Sequence, residues 1–340
     1  MDLESVLLSL KNNYPSYAQC DISSCYVGDI RARELAEALK VNTYLQELIL
    51  GNTYIGKEGA RALAESLISN TTLQRLFLYD NNIGEEGAKY LADALKSNTS
   101  LQKLNVSSTS ILTEGARELA EALKTNSTLQ ELNLWSNHIG DNGATQLAET
   151  LKTNTTLRQL NLACNEIGDN GAMQLAEALK INTTLQRLDL ASNGIGDNGA
   201  KQLAEALKVN TTLRELNLIF TLIGNEGTAY LAEALKYNTS LRQLHLEDYR
   251  IINTKHLRNI RYLLSLNRKP YKYQKDMFIN YSEKLTISKL DGNLLKRSRV
   301  FSKTGSRYNR IIFFLSTIIV ISYRSLDEYY YSLFSPFISK

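Results

Sequence analysis

The feature that most constrains this chain is a period. Leucines recur at Leu45, Leu73, Leu101, Leu129, Leu157, Leu185, Leu213 and Leu241, every step 28 residues with no insertion. One step earlier, at Tyr17, the segment YAQCDISSCYVGDIRARELAEALK still fits the same pattern. A fixed period between 20 and 50 residues specifies stacked units. Eight clear strands and one degenerate strand are expected over roughly residues 17–268.

Each unit reads L-x-x-L-x-L-x-x-N-x-I-G-x-x-G-A-x-x-L-A-E-A-L-K-x-N-T-[ST] and contains two periodicities. Leu76 and Leu78 lie two apart, which places them on one face of a short strand. Ala88, Leu91, Ala92 and Leu95 follow the i, i+3, i+4, i+7 spacing of a helix face. Asp141, Asp169, Asp197 and Asn225 stand where helix N-caps are expected, and the Ile-Gly pair serves the turn between strand and helix. A single unit has too few apolar side chains to offset the entropy of ordering it, so neighbours must supply the remaining burial. The expected result is a curved α/β solenoid, with a parallel sheet inside and helices outside.

One repeat imitates a nucleotide-binding loop. In LDLASNGIGDNGAKQLAEALK, residues 188–208, a short apolar run precedes Gly194, Gly196 and Gly199, and Glu215 follows 21 residues after Gly194. The preceding repeats carry Glu166 and His138 in place of Gly194. The tight turn of a pyrophosphate loop is therefore not part of the unit, and no nucleotide or other cofactor is expected.

The L-x-x-L-x-L-x-x-N stretch resembles the leucine-rich repeat of the ribonuclease-inhibitor type. The wording NTTLQxLxLxxNxIGDxGAxxLAEALK is especially similar to the repeats of NOD-like receptors, and also resembles Ran GTPase-activating proteins and, more distantly, tropomodulins. The resemblance covers about 250 of 340 residues. It implies a horseshoe with the sheet on the concave face and helices on the convex face. It also implies that the asparagine packs under the strand and donates to turn carbonyls. That position reads Cys25, Thr53, Asn81, Thr109, Asn137, Asn165, Asn193, Thr221 and Tyr249. Thr and Cys have fewer donors than an amide, so the stack should be most regular from Asn137 to Asn193.

What varies within the constant frame points to function. The third, fifth and seventh residues of each unit face the concave side and do not build the core. They include Arg75, Phe77, Tyr79, Glu131, Trp135, Arg187, Asp189 and Glu215. Aromatic residues beside Arg and Glu suit interface anchors, and these are the expected partner-binding residues. The alternative is that gaps on the sheet accommodate the aromatics without a partner. The Asn105, Asn133, Asn161 and Asn217 row either binds polar groups or bonds to itself and water.

The remaining composition narrows the function class. The net charge of +4 divides unevenly: residues 271–340 hold 12 Lys and Arg against 5 Asp and Glu, the rest 27 against 30. The near-neutral array gives no reason to expect nucleic acid. The histidines, His138, His245 and His256, have no acid and nucleophile arranged around them, and a Cys164–His138 pair would need hydrogen-bond reach and an orienting group. No C-x-x-C, H-E-x-x-H or Walker loop occurs, so neither metal site nor enzyme is expected. The acidic start MDLESVLLSLKNNYP lacks a basic n-region, and Cys20, Cys25 and Cys164 read as reduced thiols, so a cytoplasmic chain is expected. Seven N-x-[ST] sequons, Asn70 to Asn238 at one repeat position, then mark the turn from helix into strand.

Flanking segments complete the organisation. Leu3, Val6, Leu7 and Leu10 form a helical face, so residues 1–16 are expected as a capping helix or half repeat, or as the edge of a longer array. Residues 17–248 form the array, 249–270 a capping unit with Leu257, Ile260, Leu263 and Leu264 on one face, and 271–340 a basic then hydrophobic tail. The 13 uncharged residues Ile311–Tyr323 fall short of the ~20 that span a bilayer, so membrane contact is not the expected role of this tail. The expected function is a non-enzymatic scaffold or adaptor binding a protein on its concave face. Rival readings are a regulator of a small GTPase, as the Ran-activator resemblance implies, and a tropomodulin-like actin-binding protein. The first family usually ends in an acidic tail and this one is basic; the second needs an N-terminal extension longer than 16 residues.

Overall fold

The computed structural model describes residues 3–15, 18–246 and 254–268. Its strands are β1 (Gln19–Asp21), β2 (Glu47–Ile49), β3 (Arg75–Phe77), β4 (Lys103–Asn105), β5 (Glu131–Asn133), β6 (Gln159–Asn161), β7 (Arg187–Asp189), β8 (Glu215–Asn217) and β9 (Gln243–His245). They form one parallel sheet in chain order, and each residue pairs with the one 28 positions later, as Glu47 with Arg75 and Ile49 with Phe77. Between them run α2 (Gly28–Val41), α3 (Lys57–Ser69), α4 (Gly84–Leu95), α5 (Leu112–Leu123), α6 (Gly140–Leu151), α7 (Asp169–Ile181), α8 (Asp197–Val209) and α9 (Asn225–Ala234). Adjacent strands lie ~4.8 Å apart and packed helices ~8–10 Å, so an array that advances one strand and one helix per step must bend towards its strands.

The core is a set of rows. Leu48, Leu50, Ile55, Ala60, Leu63, Ala64 and Leu67 of one unit are buried, and the equivalent residues recur in the next. Helix α1 (Leu3–Lys11) adds buried Val6, Leu7 and Leu10 at one end; α10 (Thr254–Asn267) adds buried Ile260 and Leu264 at the other. The expectations for Tyr249 and for residues 271–340 lie outside the described residues.

Two asparagine ladders join the units. The Asn165 amide donates to Leu134 O at 2.8 Å and Ala163 O at 3.0 Å, while its Oδ1 accepts from Asn137 N at 2.9 Å. Asn81, Asn137 and Asn193 repeat this reach into the preceding unit. Thr53, Thr109 and Thr221 donate within their own turns, to Leu50 O, Val106 O and Leu218 O, and Thr53 and Thr109 also meet the Oδ1 of Asn81 and Asn137 in the next unit, but none reaches back into the preceding one as the amides do. The uninterrupted run of linked amides is Asn137, Asn165 and Asn193, where the resemblance placed the most regular stack. The second ladder is the sequon row. Asn70 Nδ2 donates to Leu39 O at 2.8 Å and its Oδ1 accepts from Leu73 N at 2.8 Å, so one amide ends a helix and starts the next strand.

The helix starts depart from expectation. Asp141, Asp169 and Asp197 do not cap their own helices; the N-cap positions of α7, α8 and α9 are Gly168, Gly196 and Gly224, and Asn225 is the first residue of α9. Each aspartate instead serves the next unit. Asp169 Oδ1 accepts from Gly196 N at 2.7 Å and Gly199 N at 2.9 Å, and Asp29, Asp141 and Asp197 act likewise on α3, α7 and α9. The reason is register: neighbouring helices pack side by side, and the carboxylate at one N-terminus lies against the exposed amides of the next.

The turn conformation follows this contact. Where the preceding unit supplies aspartate, the turn glycine is extended, with φ near −100° at Gly56, Gly168, Gly196 and Gly224. Where it supplies Lys57, Glu85 or Thr113, the residue turns left-handed, at Gly84 (φ 65°), Leu112 (φ 53°) and Gly140 (φ 64°). The freed N–H then donates forwards, to Thr109 O, Asn137 O and Asn165 O. Of the two glycines in each turn, the second is the steric requirement: a Cβ on Gly199 would lie 2.7 Å from both Asp169 Oδ1 and Ile195 Cγ2.

Candidate functional site

The strands have an alternating burial pattern, so the middle leucine points to the core and its two neighbours to the open face of the sheet. On that face the third residues of the units form a polar chain. Arg75 pairs with Glu47. Lys103 Nζ lies 2.8 Å from Glu131 Oε2, Gln159 Nε2 donates to Glu131 Oε1 at 2.8 Å, and Arg187 donates to Gln159 Oε1 at 3.2 Å. Arg187 Nε lies 3.4 Å from Glu215 Oε2, and His245 Nε2 the same distance from Glu215 Oε1. Such half-exposed pairs contribute little stability, typically ~0–1 kcal/mol each. Their effect is to hold long side chains in fixed positions across the face.

The fifth residues end the strands. The Oδ1 atoms of Asn105, Asn133, Asn161 and Asn217 accept the N–H two residues on, at 3.0, 3.0, 2.9 and 3.2 Å. Asp189 does the same with Ala191 N at 3.0 Å, and its Oδ2 accepts from Asn217 Nδ2 at 3.1 Å. Of the two readings of the asparagine row, the backbone thus occupies the acceptor half; the amide donors of Asn105, Asn133 and Asn161 remain directed away from it.

The seventh residues face the concave side but are not solvated as a class. Ser107, Ala163 and Ala191 are buried, because small side chains at the strand ends sink between the turns. Gly51 is covered by Tyr79: a Cβ there would fall inside the Tyr79 ring, and the Tyr79 hydroxyl lies 3.3 Å from Ser23 Oγ. Tyr79 therefore already has an intramolecular partner. Phe77 is half-buried, with Lys103 Nζ 5.4 Å from its ring centroid. Trp135 stands out at 41 % exposure. The eight predicted residues, Arg75, Phe77, Tyr79, Glu131, Trp135, Arg187, Asp189 and Glu215, thus share one face but differ in how far they are already engaged. A shallow depression of about 200 Å³ opens among β4 to β8, lined by Lys103, Glu131, Asn133, Gln159, Asn161, Arg187, Asp189, Glu215 and Asn217.

Elsewhere the chemistry is sparse. His138 Nδ1 meets Glu166 Oε1 at 2.7 Å on an exposed turn. Burial, then the nearby Asp21 charge, pushes the Cys20 thiol up to about 11. Among the described residues no group of three His, Cys, Asp or Glu could hold a metal, and no helix is long and apolar enough to cross a membrane. One feature escaped sequence reading: the Tyr26 and Tyr54 rings meet in a tilted pair, 5.5 Å between centroids and 41° between planes, although both are well exposed. Both occupy the position before Ile-Gly or Val-Gly where later repeats have Asn82, Ser110, His138 and Glu166, and that substitution was the available signal.

Two family models match the chain. The model described as Leucine Rich repeat matches residues 41–64, 69–92, 97–120 and 209–232. The TMOD/LMOD Leucine-rich domain matches residues 110–188 and, in an overlapping placement, 142–220. Similar solved structures include leiomodin-1 actin-binding site 2, 24% identical, covering 51% of this chain and 96% of that one, with TM-score 0.42. Another is the Caenorhabditis elegans tropomodulin C-terminal domain, 20% identical, covering 45% and 93%, with TM-score 0.40. No curated protein matches the chain.

Proposed function

We propose that this leucine-rich repeat protein is a non-enzymatic interaction scaffold or adaptor that binds a protein on the concave strand face. The observation that carries the reading is Trp135, an indole left 41 % exposed on a face whose other long side chains are held in a fixed polar chain. Leaving so large an apolar surface in water is costly, and rigid aromatics ringed by charge suit partner contacts. The resemblance of the repeats to those of NOD-like receptors supports a sensing or scaffolding role. Affinity capture with wild type and with a Phe77→Ala/Trp135→Ala variant tests it; Tyr79 stays untouched because it packs on Gly51. A partner held by wild type and lost by the folded variant is the expected result. An unchanged set of captured proteins rejects the strand face.

A second reading is an actin-associated role, favoured by the match of residues 110–220 to the TMOD/LMOD leucine-rich domain. Actin filament elongation with and without the chain separates the two. A change in elongation rate favours this reading; no effect at micromolar chain leaves the scaffold reading.

A further inference from the structure

We propose that the depression over β5 to β8 is a socket for one arginine side chain of the partner, with its cation on Asp189. This rests on the strand-face reading above and names what that face recognises.

Charge is the first argument. Of the three carboxylates in the lining, Glu131 pairs with Lys103 and Glu215 with Arg187. Asp189 has only neutral donors, Ala191 N and Asn217 Nδ2, and no cation within bridging distance among the described residues. A carboxylate offers about four lone-pair sites, and two are used here. The lining therefore carries one uncompensated negative charge, placed between the neutral Asn161 and Asn217 on the neighbouring strands.

Size is the second. About 200 Å³ is below the ~300–1,000 Å³ typical of small-molecule sites, and suits a single side chain.

Hydrogen-bond polarity is the third. With Oδ1 of Asn133 and Asn161 tied to the backbone, their Nδ2 groups present donors on adjacent strands ~4.8 Å apart. Donors beside a lone carboxylate call for a ligand with both a cation and acceptors, which is a basic residue within a polypeptide whose carbonyls meet the amides. Arginine suits better than lysine: its planar fork can bond a carboxylate with two N–H groups, and its plane or stem can lie against Trp135, two residues beyond Asn133 on the same strand line.

Trp135 is the only tryptophan, and it lies outside the lining but two residues beyond the lining residue Asn133, so its fluorescence reports on a ligand that reaches that end of the depression. The full chain is titrated with acetyl-Gly-Arg-Gly-amide, its isosteric neutral citrulline analogue and the glutamate analogue. The side-chain amide resonances of Asn133 and Asn161 serve as a second readout. The arginine peptide should bind at least tenfold tighter than the citrulline peptide. In Asp189→Asn, which keeps an acceptor for Ala191 N but loses the one for Asn217 Nδ2, that preference should vanish while the circular dichroism melt stays cooperative. Equal binding of arginine and citrulline, a preference that survives Asp189→Asn, or silence in both readouts overturns the socket. If capture of a partner still depends on Phe77 and Trp135 in that case, the strand-face reading stands and only the arginine assignment falls.

Discussion

At the scale of single residues, the three glycines of the nucleotide-like stretch have unequal roles. Gly194 has no positive φ, and a Cβ there would meet only Ile167 O at 3.5 Å and Gly168 Cα at 3.8 Å. Gly199 has no room for one. Gly194→Ala should therefore stabilise by ~0.4–1 kcal/mol through the unfolded chain, while Gly199→Ala should cost ~1–3 kcal/mol through overpacking. Urea unfolding midpoints measure both, and a Gly194→Ala variant that unfolds first would contradict the account. A pyrophosphate loop would make Gly194→Ala costly as well, since its first glycine makes the tight turn. This much was legible in the sequence, because Glu166 and His138 at the equivalent positions already exclude a glycine requirement. Leu112 was not legible in the same way. It sits left-handed at φ 53°, a conformation that costs an L-residue ~1–2 kcal/mol, because Glu85 does not offer the cap that Asp29 or Asp141 provides. Leu112→Gly should raise stability by ~0.5–1 kcal/mol after the greater entropy of the unfolded glycine chain is subtracted, again read from the urea midpoint.

At the scale of elements, α3, α7, α8 and α9 take an N-terminal cap from the neighbouring unit. Sequence spacing shows that Asp141, Asp169 and Asp197 stand at helix starts; which helix they serve depends on a distance across the stack, and that distance appears only when units pack. Asp169→Ala should remove the acceptor of both Gly196 N and Gly199 N and cost ~1–2 kcal/mol, in the range of lost N-caps. The converse substitution tests the rule itself. Thr113 precedes the left-handed Gly140, and Thr113→Asp places a carboxylate where Asp141 stands one unit later. Gly140 should change from φ 64° to the extended form near −100° seen at Gly168, and its N–H should leave Asn165 O for the new carboxylate. A crystal structure of the variant with Gly140 still left-handed would refute the rule. The strand face shows the same limit on sequence reading. Its residues were identified by counting along the unit, but the cover that Tyr79 gives Gly51 and the burial of Ser107, Ala163 and Ala191 depend on what stands one strand away.

At the scale of the whole molecule, the sequon row runs through the array from Asn70 to Asn238. All seven side chains are only 3–6 % exposed. Each Nδ2, the atom a glycan would use, donates to the carbonyl of a leucine at or near the end of the preceding helix, at distances of 2.7–2.8 Å from Leu39 O through to Leu207 O. Each Oδ1 accepts from the strand that follows. A sugar on any of them would remove a buried donor and need space inside a stack whose units advance by one strand spacing. Losing one buried bond costs ~1–3 kcal/mol, and a stack that depends on nearest-neighbour contacts opens at the damaged unit. Glycosylation and native folding are therefore mutually exclusive at this row. Fused to a secretory leader, the chain should divide into a protease-resistant fraction unmodified at all seven sites and a protease-sensitive one glycosylated within the row. Asn105-Val-Ser and Asn280-Tyr-Ser are sequons outside the row, so both are first removed by Ser107→Ala and Ser282→Ala; gel mobility before and after peptide-N-glycosidase, measured on the protease-resistant fraction, then checks this. A resistant fraction bearing glycans on any of the seven would show that the ladder yields to modification and that the row is not part of what holds the repeats together.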